Sequence, residues 1–369
     1  MNPTDLTNYL EKMPERGIPA CDLVVTRDGE VVYRHAVGAE AGRDLYYVCS
    51  ISKITTCTVA MRLVEEGKLG LDDPVAKYLP AYQNLLVKEK KTGEIHPAEN
   101  VMTVRHLFTM TGGLNYNLRL DPILRARESD HPTTLNIVNS FVESPLDFEP
   151  GTKFQYSLCH DVLAAIVEVV SGKRFRDYVK EIILDPLGMG TTDYHLREGW
   201  NERIARQYRS LRGLARAEEK EPACGFILSD EYDSGGAGLI TNGDEQIKLL
   251  TTLANGGKTP DGYQLLKPET IAMMEKGQLP DEVQRSFIPT RLFGYSWGLC
   301  GRVHVNPVVS MARSPLGEFG WDGATGPFAL VDRKNRLALY FGTHIYDCDY
   351  LHHQVHPTLR DMAYEIFVK

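Results

Sequence analysis

The sequence predicts an α/β fold of the α+β kind: one antiparallel sheet flanked by helices, built from both chain ends, with a helical domain inserted. Three observations predict it. Strand-like runs cluster before residue 50. They mostly vanish between about Leu71 and Glu221, where helical and loop patterns take over. They return between Gly235 and Phe341, and a helix closes the chain. The expected division is a sheet domain of residues 1–75 and 230–369 around a mainly helical insert of 76–229.

Each element has its own signal. Leu6, Tyr9, Leu10 and Met13 fall at helical spacing and predict a first amphipathic helix. Two apolar runs follow, Asp22 to Thr26 and Glu30 to Val37, joined by Asp28-Gly29, a dipeptide suited to two-residue hairpin turns. A short run at Leu45 to Val48 precedes a helix whose buried stripe is Ile54, Cys57, Met61 and Val64, ended by Gly67. In the middle region, Thr103 to Met110 reads as a short helix and Asp161 to Val170 as a longer one, with Leu163, Ile166, Val167 and Val170 on one side. Strands are expected at Gly235 to Thr241, Tyr295 to Val305, Phe328 to Val331 and Leu337 to Phe341. Pro357 opens a last helix carrying Leu359, Met362, Ala363 and Ile366 inward.

Composition narrows the function. With 369 residues, 43% of them hydrophobic, the chain has ample material for a large core. Net charge is −8 and no Lys/Arg-rich stripe stands out, so neither nucleic acid nor a membrane surface is an expected partner. No 18-residue apolar run predicts a spanning helix. The first residues show no basic-then-apolar leader, and the seven cysteines are odd in number without close pairing. Together these read as free thiols in a cytoplasmic protein. A small-molecule substrate is the expected partner, and oligomeric state is not legible.

The chemistry concentrates in Ser50-Ile51-Ser52-Lys53. Residues three apart on a helix share a face, which brings the Lys53 amine within reach of the Ser50 hydroxyl. At a first helical turn the positive end of the helix dipole also favours an oxyanion forming there. A serine at this place also suits a plain capping role, so the setting has to decide.

That setting resembles the penicillin-recognising serine hydrolases: class C β-lactamases, D,D-peptidases and the family-VIII carboxylesterases. Matching stretches run in order: Leu63 to Leu69 with Leu71 to Val75, Thr103 to Leu107, Thr111 to Leu114, Pro150-Gly151-Thr152 and Gly235 to Leu239. Each is weak alone; the ordered set, spanning Val24 to Phe341, is specific. The resemblance implies a β-lactamase/transpeptidase-like fold with the active site in the cleft between the two domains. The family's Tyr-x-Asn element matches Tyr156-Ser157-Leu158, and its Lys/His-Ser/Thr-Gly element matches Trp321-Asp322-Gly323. Tyr156 is thereby implied as the third catalytic residue beside Ser50 and Lys53. The backbone N–H groups of Ser50 and Ala324 are implied as the oxyanion hole, and Trp321, Asp322, Gly323 and Leu158 as the substrate-binding positions. No cofactor or metal is implied.

The departures have chemical content. Leu158 replaces an asparagine and cannot donate a hydrogen bond. Trp321 replaces a cation and Asp322 adds a negative charge, so an anionic substrate loses its usual anchors. Trp-Gly-Gly is common at this place in the esterase branch. The expectation is therefore a carboxylesterase working through an acyl-enzyme on Ser50 with small neutral esters. β-Lactamase, D,D-peptidase, D-amino-acid amidase, aminopeptidase-like and acyltransferase activities stay open, as does a non-catalytic binding role. Whether Lys53 or Tyr156 takes the serine proton is also open.

Two further patterns compete. Gly294-Tyr295-Ser296-Trp297-Gly298 matches the Gly-x-Ser-x-Gly elbow of lipases, but the residues after Ser296 read as strand where that mechanism requires a helix. Asp347-Cys348-Asp349 with His352, His353 and His356 resembles a metal cluster, yet the glutamate of His-Glu-x-x-His is absent and a polar loop accounts for it.

Overall fold

The computed structural model describes residues 1–211, 215–288 and 292–368. Helix α1 (Pro3–Glu11) starts at Asn2, whose side chain accepts from the Thr4 and Asp5 backbone N–H groups while Asp5 answers the Asn2 N–H. That reciprocal cap satisfies donors which a helix start leaves free. Strands β1 (Cys21–Arg27) and β2 (Glu30–Val37) pair through the Asp28-Gly29 turn, where both residues have positive φ (54° and 91°). A two-residue hairpin of this hand requires that conformation.

Five strands from the last third of the chain complete the main sheet: β3 (Tyr295–Trp297), β4 (Arg302–His304), β5 (Phe319–Asp322), β6 (Phe328–Asp332) and β7 (Leu337–Gly342). The spatial order is β2-β1-β7-β6-β5-β4-β3, and all the pairings are antiparallel. The β1–β7 pairing joins the two ends of the chain.

Side-chain alternation along the strands builds two apolar layers. Leu23, Val25, Leu330, Leu339 and Phe341 pack with Leu6 and Leu10 of α1 and with the closing helix. Val24, Ala329, Val331, Ala338 and Tyr340 belong to the larger core on the other face. That core holds helices α2 (Ser52–Glu65), α3 (Cys159–Ser171) and α4 (Gly243–Ala254); the closing helix is α5 (His356–Phe367). Gly67, at φ 70°, follows the end of α2. Among the described residues no helix is long and apolar enough to cross a membrane.

The structure departs from the expected elements in several places, among them the Tyr295 to Val305 run, which is two strands, Tyr295–Trp297 and Arg302–His304. The 76–229 region contains short strand pairs, Leu86–Lys88 with Ile95–Pro97 and Gln207–Ser210 with Ala217–Lys220. Strands of three and four residues are too short to show alternation. Only Ile240–Thr241 of the Gly235–Thr241 run is strand; Gly235 and Gly236 form a turn, Gly235 packed on α2 and α3 and Gly236 on α3. Helix α4 is one that the sequence reading did not name, although Asn242 caps it by accepting from the Glu245 N–H.

Candidate active site

Ser50 lies in a single helical turn, Cys49–Ile51, that runs directly into α2. Cys49 has φ 46°, a left-handed conformation uncommon for a non-glycine residue and characteristic of strained functional positions. The turn is held from outside: the Val48 N–H reaches Leu239 O at 3.2 Å, and Ser52 Oγ donates to Cys49 O while accepting from the Leu239 N–H.

Lys53 follows one turn later and is fully buried. Its Nζ sits 3.2 Å from Ser50 Oγ, 2.7 Å from Gly236 O and 3.3 Å from Tyr116 Oη. Burial pulls its ammonium down from the usual lysine range to about 8, against the opposing influence of Asp161. The Gly235-Gly236 pair allows this approach. A Cβ on Gly235 would meet Ala164 Cβ and His160 O at 2.6 Å, and one on Gly236 would meet Asp161 Oδ2 at 2.5 Å.

Tyr156 precedes α3, and its ring lies beside Lys53. Its hydroxyl accepts a 2.8 Å hydrogen bond from the Trp321 indole N–H and is in hydrogen-bonding reach of the Ser50 side chain. The Lys53 Nζ lies 4.7 Å from the Tyr156 ring centre. Burial pushes the Tyr156 phenol up, with the Ser50 and Trp321 hydrogen bonds acting the other way. The phenol is therefore protonated at neutral pH. Tyr116 stacks on Tyr156 at 5.6 Å, and Phe226 meets Tyr116 edge-on. With Trp321, which packs against both Tyr156 and Trp297, these rings form an aromatic wall.

The end of β5 is sutured to the segment before Ser50. Thr325 Oγ1 donates to Tyr47 O at 2.7 Å, and a Cβ on Gly323 would meet Val48 O at 2.3 Å. Ala324 lies exposed between these contacts. The other implied substrate positions fall elsewhere. Leu158 is 4% exposed and belongs to the core at the start of α3. The Asp322 carboxylate is 2.7 Å from His352 Nδ1, so it is already engaged by a histidine.

Ser296, the competing serine, lies within β3 with 5% exposure and donates to Gln284 Oε1 at 2.7 Å. Among the described residues the chain after Ser296 runs on into β4, not into a helix.

Asp161 is the residue that sequence reasoning missed. Its Oδ1 accepts from Tyr232, Ser234 and the Gly236 N–H, which fixes the loop whose carbonyl holds Lys53. Its Oδ2 is buried without a partner. The one available sequence signal was an acidic residue in the first turn of an otherwise apolar helix.

A family model described as Beta-lactamase matches residues 6–345. The chain belongs to the Beta-lactamase family. Esterase EstB of Burkholderia gladioli is 27% identical over 373 residues, covering 89% of this chain and 86% of the esterase. Acyltransferase calJ of Penicillium decumbens is 27% identical over 328 residues, covering 80% of this chain and 74% of the transferase. Among solved structures, EstCE1, described as a hydrolase with promiscuous acyltransferase activity, superimposes with a TM-score of 0.80 at 24% identity, over 98% of this chain and 99% of its own. The fold is thus the mixed β-lactamase-like one that the ordered motifs implied.

Proposed function

We propose that the protein is a serine carboxylesterase for small neutral esters, working through an acyl-enzyme on Ser50. The observation that carries this is the arrangement of three groups around Lys53. A neutral amine has two N–H donors and one lone pair. Gly236 O and Tyr116 Oη lie where they accept the donors, leaving the lone pair for the Ser50 proton.

In acylation, Ser50 Oγ bonds to the ester carbonyl carbon as its proton passes to Lys53. The Ser50 and Ala324 N–H groups stabilise the oxyanion, each such donor typically being worth about 3–4 kcal/mol. Tyr156, protonated and beside the serine, gives its proton to the leaving alkoxide as the C–O bond breaks and takes up the proton that Lys53 holds. Water then attacks the acyl-enzyme by the same path in reverse, and the proton it loses returns to Ser50.

The substrate class follows from what surrounds this centre. Trp321 stands where related enzymes carry a cation, and its N–H is committed to Tyr156. Leu158 offers no side-chain donor. An anionic penicillin or peptide C-terminus therefore finds little to hold it, whereas an ester without charge meets an aromatic wall. The acyltransferase reading is favoured by the same wall, which would bind an apolar alcohol in place of water, and by the likeness to calJ and EstCE1. We place the enzyme in the cytoplasm, a reading supported by seven cysteines that all remain free thiols.

Short p-nitrophenyl esters and a chromogenic cephalosporin, assayed with wild type and Ser50→Ala, test this. Ester turnover should dominate and fall at least ~10³-fold in the variant. Cephalosporin turnover exceeding ester turnover would contradict the proposal.

A further inference from the structure

The histidines near the C-terminus acquire a partner that their sequence neighbourhood does not reveal. His352 lies in a wide helical turn, Leu351–Val355, and His356 opens α5 directly after it. Their rings stand 5.2 Å apart, nearly perpendicular, and both turn Nδ1 toward the carboxylate of Asp322 at the end of β5. Asp322 Oδ2 is 2.7 Å from His352 Nδ1 and 3.7 Å from His356 Nδ1. One ligating atom from each of the three residues falls within 4.8 Å of the others.

His356 supplies the decisive detail. Its Nε2 lies 2.9 Å from Gly326 O, which can only accept, so that nitrogen carries the proton. In the neutral ring Nδ1 is then a bare lone pair. It is buried and has no hydrogen-bond partner, on a side chain only 4% exposed, and it faces a carboxylate oxygen across 3.7 Å. Two electron-rich atoms confront each other with room for something positive between them. A backbone carbonyl that fixes the tautomer of a histidine is also the usual outer support of a metal ligand.

We propose that Asp322, His352 and His356 form a binding site for a divalent transition-metal ion, zinc in the first instance. Two imidazoles and a carboxylate suit zinc in charge and ligand type. Tetrahedral bonds of about 2.0–2.1 Å set donor atoms roughly 3.4 Å apart, between the two distances found at Asp322. Access is open: Asp322 and His352 are 29% and 31% exposed and line a cavity of about 450 Å³ with His353 and Arg360. Arg360, a cation on that wall, is paired with Asp361. Water can complete the coordination. The ion would clamp the end of β5, and with it Trp321, to the closing helix.

Competition of the purified full-length protein with a chromophoric chelator for Zn²⁺, together with thermal melting at increasing Zn²⁺, tests the site. One ion should bind per chain, and the melting temperature should rise with zinc concentration. Asp322→Asn and His352→Gln should each weaken binding by more than ~100-fold, since loss of outer-shell support alone costs about 10–100-fold. Circular dichroism of the metal-free variants checks that they fold, and the partly exposed His352 position guards against a folding defect at Asp322. Wild-type protein that takes up no zinc at micromolar concentrations would overturn the proposal. So would both folded variants binding zinc as wild type does.

Discussion

Lys53 is where burial becomes chemistry. An amine with no exposed surface resists charging, and it is drawn down to about 8. Under the proposed mechanism Lys53 must be neutral to accept the serine proton. Activity should therefore rise with pH and level off above an apparent pKa near 8 in kcat/KM. The same shift has a stability consequence. Between the folded value and the unfolded one near 10.4, the unfolded chain binds more protons, so stability should rise as pH rises through that window. A pH–rate profile that stays flat from pH 6 to 9 would contradict the role of Lys53. Trp321 offers a second test at this scale. Trp321→Phe keeps the aromatic surface and removes the N–H that reaches Tyr156. A fall of about 10- to 150-fold in kcat with KM little changed is expected, because one hydrogen bond to a charged or charging group is worth roughly 1.5–3 kcal/mol. Unchanged kcat would mean that the indole only packs.

Among the elements, loops strapped to α2 and β5 place the groups of the proposed mechanism, and glycines make the straps possible. Gly236→Ala would drive a methyl to within 2.5 Å of Asp161 Oδ2, and overpacking of this kind costs about 1–3 kcal/mol. Denaturant unfolding should register that loss, alongside reduced activity from displacement of the carbonyl that holds Lys53. Gly323→Ala would place its Cβ 2.3 Å from Val48 O and push Ala324 away from the serine. Its expected signature is a kcat loss of about 10²-fold, of the size seen when an oxyanion donor is lost. The difference between what could and could not be read in advance is clearest here. Ser50 and Lys53 were legible because one turn of helix relates them, and Tyr156 because a family motif marks it. Asp161 and Gly236 O were not, since their meeting with Lys53 depends on α3 and a distant loop folding together. Likewise Asp28-Gly29 announced its hairpin through local φ requirements, while the Gln207–Ser210 pair had no periodicity to betray it.

For the whole molecule, the antiparallel β1–β7 seam makes each end of the chain depend on the other. The expectation that both termini share one sheet followed from where strand signals lay along the sequence. Strand order did not, because it depends on contacts hundreds of residues apart. The closing helix α5 buries Leu359, Met362 and Ala363 on that sheet. Large apolar side chains are worth about 1.5–3 kcal/mol each on burial, against a total stability of roughly 5–15 kcal/mol for a folded domain. Truncation before His356 should therefore leave no cooperative thermal transition. A truncated chain that melts as sharply as the full one would contradict this packing account. The central claim concerns a covalent bond. Incubation with a slowly hydrolysed p-nitrophenyl ester, acid quenching and mass analysis of the peptides should show one acyl group on the peptide bearing Ser50, absent from Ser50→Ala. Acylation of a peptide bearing Ser296 or another nucleophile, or turnover surviving in Ser50→Ala, would contradict it.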